Sequence, residues 1–131
     1  MSRRARPLSP HLQIYKWQLH MAMSIFHRAT GVFLSLGLVG LMWWLVAAAT
    51  GPDYFSQAQM FIVRPFGRLV LFGFSISLIY HALNGIRHLF YDAGMGYDLE
   101  VTRKSGRLVM VLTLVLTLGI WYLGYQMAGK I

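Results

Sequence analysis

The sequence predicts an all-α integral membrane protein with three transmembrane helices. Composition is the first observation: 56% of the 131 residues are apolar and only 12% are charged, for a mean hydropathy of +0.52. A soluble domain of this size does not carry that balance. The second is arrangement, because the apolar residues fall in three blocks, 29–50, 66–90 and 108–127. Each block reaches the roughly 20 residues a bilayer crossing requires. The third is charge placement. Arg3, Arg4, Arg6, Lys16, Arg28, Arg87, Arg103, Lys104 and Arg107 flank one side of the three blocks, and only Arg64, Arg68 and Lys130 flank the other. That asymmetry puts the N-terminus and the second loop in the cytoplasm or matrix and the C-terminus outside. The net charge of +8 could otherwise suggest a nucleic-acid partner; its distribution points to the lipid bilayer instead. The absence of cysteine excludes disulfides, thiolate metal sites and iron–sulfur ligation within the chain.

Two parts follow, an interfacial lead over residues 1–20 and a three-helix membrane domain over 21–131, with spans at about 21–50, 65–91 and 107–127. In the lead, Pro7 and Pro10 hold the chain extended, and residues 11–17 mix aromatic, cationic and apolar side chains as interfacial segments do. No signal-peptide hydrophobic stretch precedes the first span, which is expected to direct insertion itself. In span one, Gly37 and Gly40 permit close helix packing, and Trp43 and Trp44 mark the outer interface. Gly51-Pro52-Asp53 ends it. Residues 54–63 read as a short half-buried outer turn, and Arg64-Pro65 restarts the chain with proline in the first helical turn. The inner loop is expected over 93–105. Span three carries no charged residue between Arg107 and Lys130. Its Thr113 and Thr117 can bond their own backbone, and it reads as scaffold.

Two polar faces end on the same side of the membrane. On span two, His81, Gly85, His88 and Asp92 recur at i, i+4, i+7 and i+11, with Ser77 one turn earlier. His81 lies about seven residues inside the end of its block, roughly 9–10 Å deep at 1.5 Å per residue. An ionisable side chain there is expensive and points into a bundle. Gly85 leaves a clearing one turn away where something flat could lie, which suits an axial haem ligand. Two readings stay open at His81: a haem ligand, or an imidazole hydrogen-bonded to a neighbouring helix. The chain has no second deep histidine on this reading, so a six-coordinate haem would take its other ligand from another polypeptide. On span one, Ser24, His27, Arg28 and Gly31 recur at i, i+3, i+4 and i+7. Arg28 and His27 are at the level to meet haem propionates, Arg by its planar fork; the plain alternative for Arg28 is snorkelling to headgroups. Ser24 with Arg28 suits a quinone, whose carbonyls gain charge on reduction. His88 and Asp92 at the boundary could relay protons, or serve only as helix-end groups.

Three motifs then resemble one family. They are Arg6-Pro7-Leu8-Ser9-Pro10-His11-Leu12-Gln13-Ile14-Tyr15, Ser24-Ile25-Phe26-His27-Arg28-Ala29-Thr30-Gly31 and His81-Ala82-Leu83-Asn84-Gly85-Ile86-Arg87-His88-Leu89-Phe90-Tyr91-Asp92. In this order and spacing, covering nearly the whole chain, they resemble the cytochrome b membrane-anchor subunit of succinate dehydrogenase, respiratory complex II. The resemblance implies half of a heterodimeric anchor bundle that passes electrons from succinate oxidation to ubiquinone. It implies one haem b whose iron is held by His81 and by a histidine of the partner anchor subunit. His27 and Arg28 would lie at a haem propionate, and Ser24 and Arg28 would line the ubiquinone pocket. The iron–sulfur and flavoprotein subunits would dock on the basic side. The chain alone would catalyse nothing. A bacterial cytoplasmic membrane is expected, with the N-terminus cytoplasmic, over a mitochondrial inner membrane, because no long targeting leader is present. The rivals are a fumarate reductase-type anchor and a haem-free membrane scaffold.

Overall fold

A computed structural model describes residue 14 and residues 16–129. The basic residues Arg3, Arg4 and Arg6, the rest of the 6–15 motif apart from Ile14, and Lys130 lie outside the described residues. Four helices run in order: α1 (Leu19–Thr50), α2 (Pro52–Val63), α3 (Pro65–Asp92) and α4 (Leu99–Met127). No strand occurs among the described residues. The three long helices have 32, 28 and 29 residues. At 1.5 Å per residue they reach about 42–48 Å, longer than the roughly 30 Å hydrocarbon core of a bilayer. Each is apolar enough to cross it and long enough to project into the headgroups on both sides.

Two boundaries differ from the sequence reading. The outer segment is a helix rather than a turn. Gly51 takes φ 141° to redirect the chain, Pro52 stands in the first turn and Asp53 follows where the helix N-terminus favours an anion. Its Ala58 is buried, and its Phe55 and Phe61 meet the edges of Trp44 and Trp43 at 5.5 and 6.1 Å. The tryptophans expected at the outer interface are thus roofed by α2. At the other end, α4 starts at Leu99, well before the apolar block begins at 108. Residues 99–106 are polar enough to escape a hydropathy reading, yet Leu99, Glu100, Arg103 and Lys104 among them are good helix formers. Glu100 sits in the first turn and pairs with Lys104 one turn on, at 2.7 Å. The inner loop shrinks to 93–98. It turns on Gly94 and Gly96 at φ 78° and 83°, conformations glycine adopts without a Cβ penalty. Gly94 N–H donates to Tyr91 O and Met95 N–H to Phe90 O, satisfying the last carbonyls of α3.

Lipid supplies no hydrophobic drive between helices, so close approach and internal hydrogen bonds hold the bundle. Met23, Tyr80 and Val109, one from each long helix, form the buried apolar cluster. Tyr80 donates its hydroxyl to the Met23 carbonyl at 2.7 Å, joining α3 to α1. Gly37 receives the Phe74 ring where a Cβ would collide with it, whereas Gly40 meets nothing within 4 Å among the described residues. The buried hydroxyls of Thr113 and Thr117 bond back to Val109 O and Thr113 O at 2.7 Å, as their positions on the helix predict.

The α2–α3 corner generates a prediction. Gly67 is buried two residues past Pro65, and a methyl group there would run into the backbone carbonyls of Phe61 and Ile62. Neither carbonyl can swing aside as a side chain can, so Gly67→Ala should destabilise the fold by about 1–3 kcal/mol. A lowered thermal midpoint of the detergent-solubilised protein measures this; an unchanged midpoint refutes it.

Candidate functional site: a stacked histidine pair between α1 and α3

α1 and α3 run antiparallel through the shared inner half of the bundle, so rising numbers on one meet falling numbers on the other. His27 therefore stands level with Gly85, and Gly31 with His81. Each imidazole fills the space the opposite glycine leaves: a methyl on Gly31 would lie 3.1 Å from His81 Cε1, and one on Gly85 would lie 3.9 Å from His27 Cε1. The two rings stack at 3.9 Å between centroids and 11° between planes. The clearing at Gly85 that the sequence left open for a flat group is thus taken by His27, because the helix offset brings that ring to it.

The hydrogen bonds at His81 select its tautomer. Nδ1 lies 3.1 Å from the His27 carbonyl and 3.2 Å from Thr30 Oγ1. A carbonyl only accepts, so the bond to His27 O requires the proton on Nδ1 and leaves the lone pair on Nε2. The Thr30 hydroxyl lies within reach of Phe26 O and His27 O, at 2.8 and 3.0 Å. With its proton directed there, it is free to accept from Nδ1. Nε2 makes no hydrogen bond among the described residues. An imidazole with one nitrogen tied to a backbone carbonyl and a free lone pair on the other is the donor an axial haem ligand requires. Among the described residues, no three histidine, aspartate or glutamate side chains gather as a multidentate metal site. A single imidazole is what this cluster offers a metal.

The other singled-out residues divide into two groups. His27 Nδ1 is buried without a partner, and its ring lies between His81 and His88, the latter tilted at 5.2 Å. His88 in turn meets Tyr91 edge-on at 5.9 Å. The i, i+7 face read for α3 is real, and His27 bridges its two histidines. Ser24 and Arg28 belong to the second group. They share a flank of α1 one turn apart; Ser24 is half-buried and Arg28 is exposed. Neither makes a hydrogen bond, ion pair or ring contact among the described residues, so both donor sets remain available to a ligand. Asp92 ends α3 and is exposed.

Sequence reasoning missed Thr30, whose i+3 spacing from His27 was the available signal. It also missed Arg87, which it counted as one more flanking cation. Arg87 is buried, 7% exposed, against the wholly buried Asn84. The Asn84–Arg87 i, i+3 pair was legible; the partner surface on α4 was not.

Comparison with known proteins agrees with this layout. Residues 2–120 match the family described as succinate dehydrogenase/fumarate reductase transmembrane subunit. The succinate dehydrogenase cytochrome b556 subunit of Paracoccus denitrificans is 43% identical over 125 residues, covering 93% of this chain and 96% of that one. That of Rickettsia prowazekii is 40% identical over 116 residues, covering 88% and 90%. The mitochondrial cytochrome b560 subunit of Sus scrofa is 39% identical over 119 residues, covering 88% and 69%. Three membrane-length helices, a histidine pair at their inner level and similarity over nearly the full length converge: the chain belongs to the succinate dehydrogenase/fumarate reductase transmembrane subunit family, as an anchor of the cytochrome b type.

Proposed function

We propose that this chain is the haem b-carrying membrane anchor of a succinate:ubiquinone oxidoreductase. The observation that carries the reading is His81: its Nδ1 is bound to the His27 carbonyl, leaving an unengaged Nε2. His81 would hold the haem iron together with a histidine of a second membrane-anchor subunit. Haem b, when bound, supplies a one-electron way station beside the quinone. His81 donates the lone pair, the His27 carbonyl and Thr30 hydroxyl hold its tautomer, and Gly31 leaves the room in which the ring stands. His27 and Arg28 would hold a haem propionate.

Ser24 and Arg28 are the donors to ubiquinone. As the quinone carbonyls gain negative charge on reduction, a hydroxyl and a guanidinium already in place stabilise that charge without reorganisation. Their lack of partners among the described residues supports this role, since both remain available to a ligand. The iron–sulfur subunit, carrying electrons from a flavoprotein subunit, docks on the side bearing the N-terminus of α1. That side is cytoplasmic in a bacterial cytoplasmic membrane, or faces the matrix in a mitochondrial inner membrane. The relatives named as succinate dehydrogenase subunits support the succinate-oxidising direction. The quinone extracted with the purified complex tests that direction against the fumarate-reducing one.

Three outcomes test the assignments. His81→Leu should remove most of the b-type absorbance of the purified complex; an unchanged spectrum and haem content refutes the ligand. Gly31→Val crowds the same ring and should weaken haem retention by about 10–100-fold, measured as haem per complex under dilution; full retention counts against the packing argument. Arg28→Ala should lower quinone reductase activity by about 10²–10³-fold while succinate oxidation with an artificial acceptor persists. Equal loss of both activities would point to failed assembly rather than to a quinone donor.

A further inference from the structure

Arg87 is a cation buried at the inner end of α3, and every hydrogen-bond acceptor it meets is neutral. Nε donates to Ser105 Oγ at 3.0 Å, Nη2 to the Thr102 carbonyl at 3.0 Å and Nη1 to Asn84 Oδ1 at 3.4 Å. No carboxylate pairs with it among the described residues; the one ion pair found there, Glu100–Lys104, is exposed. A buried charge without a counter-charge is costly, more than a tie between two helices needs. The same guanidinium lies over the face of Tyr91, 5.0 Å from the ring centroid.

From Tyr91 the contacts run without a gap to the proposed ligand. The Tyr91 ring meets His88 edge-on at 5.9 Å and 83°. His88 leans on His27 at 5.2 Å, and His27 lies flat on His81 at 3.9 Å. At its other end the guanidinium is braced by α4. Gly106 permits this approach: a methyl there would lie 3.8 Å from Nη2 and 3.0 Å from Met23 Sδ on α1. All three long helices meet at this level, and Arg87 is the group that touches both the α4 surface and the aromatic row.

We infer that Arg87 is a positioning residue for the histidine pair: its fork, anchored on α4, fixes the Tyr91 ring and through His88 holds His27 flat against His81. The planar guanidinium is essential to this. It engages three acceptors on fixed lines while stacking on a ring, which an ammonium on a flexible stem cannot reproduce. The inference rests on the haem reading of His81 only for its spectroscopic consequence; the position of His27 can be read without haem.

The experiment uses the assembled complex with Arg87→Gln, Arg87→Lys, Tyr91→Leu and Tyr91→Phe. Two quantities are read: carbethoxylation of His27 by peptide mass spectrometry, and the electron paramagnetic resonance spectrum of the ferric b haem. His27, wedged and with Nδ1 buried, should react slowly in the parent. Arg87→Gln, Arg87→Lys and Tyr91→Leu should each raise its modification several-fold and shift the haem signal. Tyr91→Phe should change neither, because the Tyr91 hydroxyl has no partner. Combining Arg87→Gln with Tyr91→Leu should add little to either alone, as expected of residues acting through one contact. Parent-like values in both Arg87 variants, full restoration by lysine, or full additivity with Tyr91→Leu each overturns the inference. Should Arg87→Gln fail to assemble, Arg87→Lys and Tyr91→Leu carry the same comparison. A parent complex without b haem overturns the haem reading, while the His27 modification still decides the role of Arg87.

Discussion

Two imidazoles share one slot between antiparallel helices, and each stands where the facing helix has a glycine. The rest of the inner half follows from that exchange. A methyl at Gly31 would press on the His81 ring at 3.1 Å and push it from the position in which Nδ1 reaches the His27 carbonyl, whereas at Gly85 the His27 ring stands at ordinary contact distance, 3.9 Å from where a methyl would be. The carbonyl has two lone pairs and can serve both its helix and the imidazole. A polar ring is thereby given a hydrogen-bond partner at depth, which lowers the cost of keeping it among hydrocarbon.

Polar groups recur around this level on all three long helices, and they serve packing as well as chemistry. Tyr80 ties α3 to α1, Arg87 ties α3 to α4, and Asn84 lies buried between them. In a solvent as apolar as leucine, such bonds and small residues supply the specificity that burial supplies in water. The outer half uses different means. There Phe72 meets Trp121 edge-on at 5.3 Å and Phe74 seats on Gly37, so aromatic fit replaces hydrogen bonding. The wet chemistry proposed for the chain and its strongest internal bonds occupy the same layer, so a change to one disturbs the other.

The division between legible and hidden features has a physical basis. Hydropathy finds what must contact lipid, so it located the three crossings but not the ends that leave the bilayer. α4 begins among Glu100, Arg103 and Lys104, residues that favour helix yet say nothing of membrane, and its true start was invisible to a reading that equated helix with apolar block. α2 was hidden by its own punctuation: Gly51-Pro52 at one end and Arg64-Pro65 at the other read as turns, while the fold uses the prolines to start one helix and the next.

At the site, periodicity alone put His81 with His88 on one face of α3 and His27 with Gly31 on one face of α1, because a single helix sets its own angular order. It also singled out Ser24 and Arg28 as a pair on a common flank. What it could not set was the axial offset between the helices, which decides that His27 meets Gly85 and His81 meets Gly31. Nor could it bury Arg87, since the acceptors for that guanidinium come from Thr102 and Ser105 on a helix that starts earlier than its apolar run. The sequence by itself determined the crossings, the polar faces and the residues on them, all properties local to one helix. Only the tertiary structure decided which faces touch and at what height, because that depends on how small residues on one helix admit large ones from another.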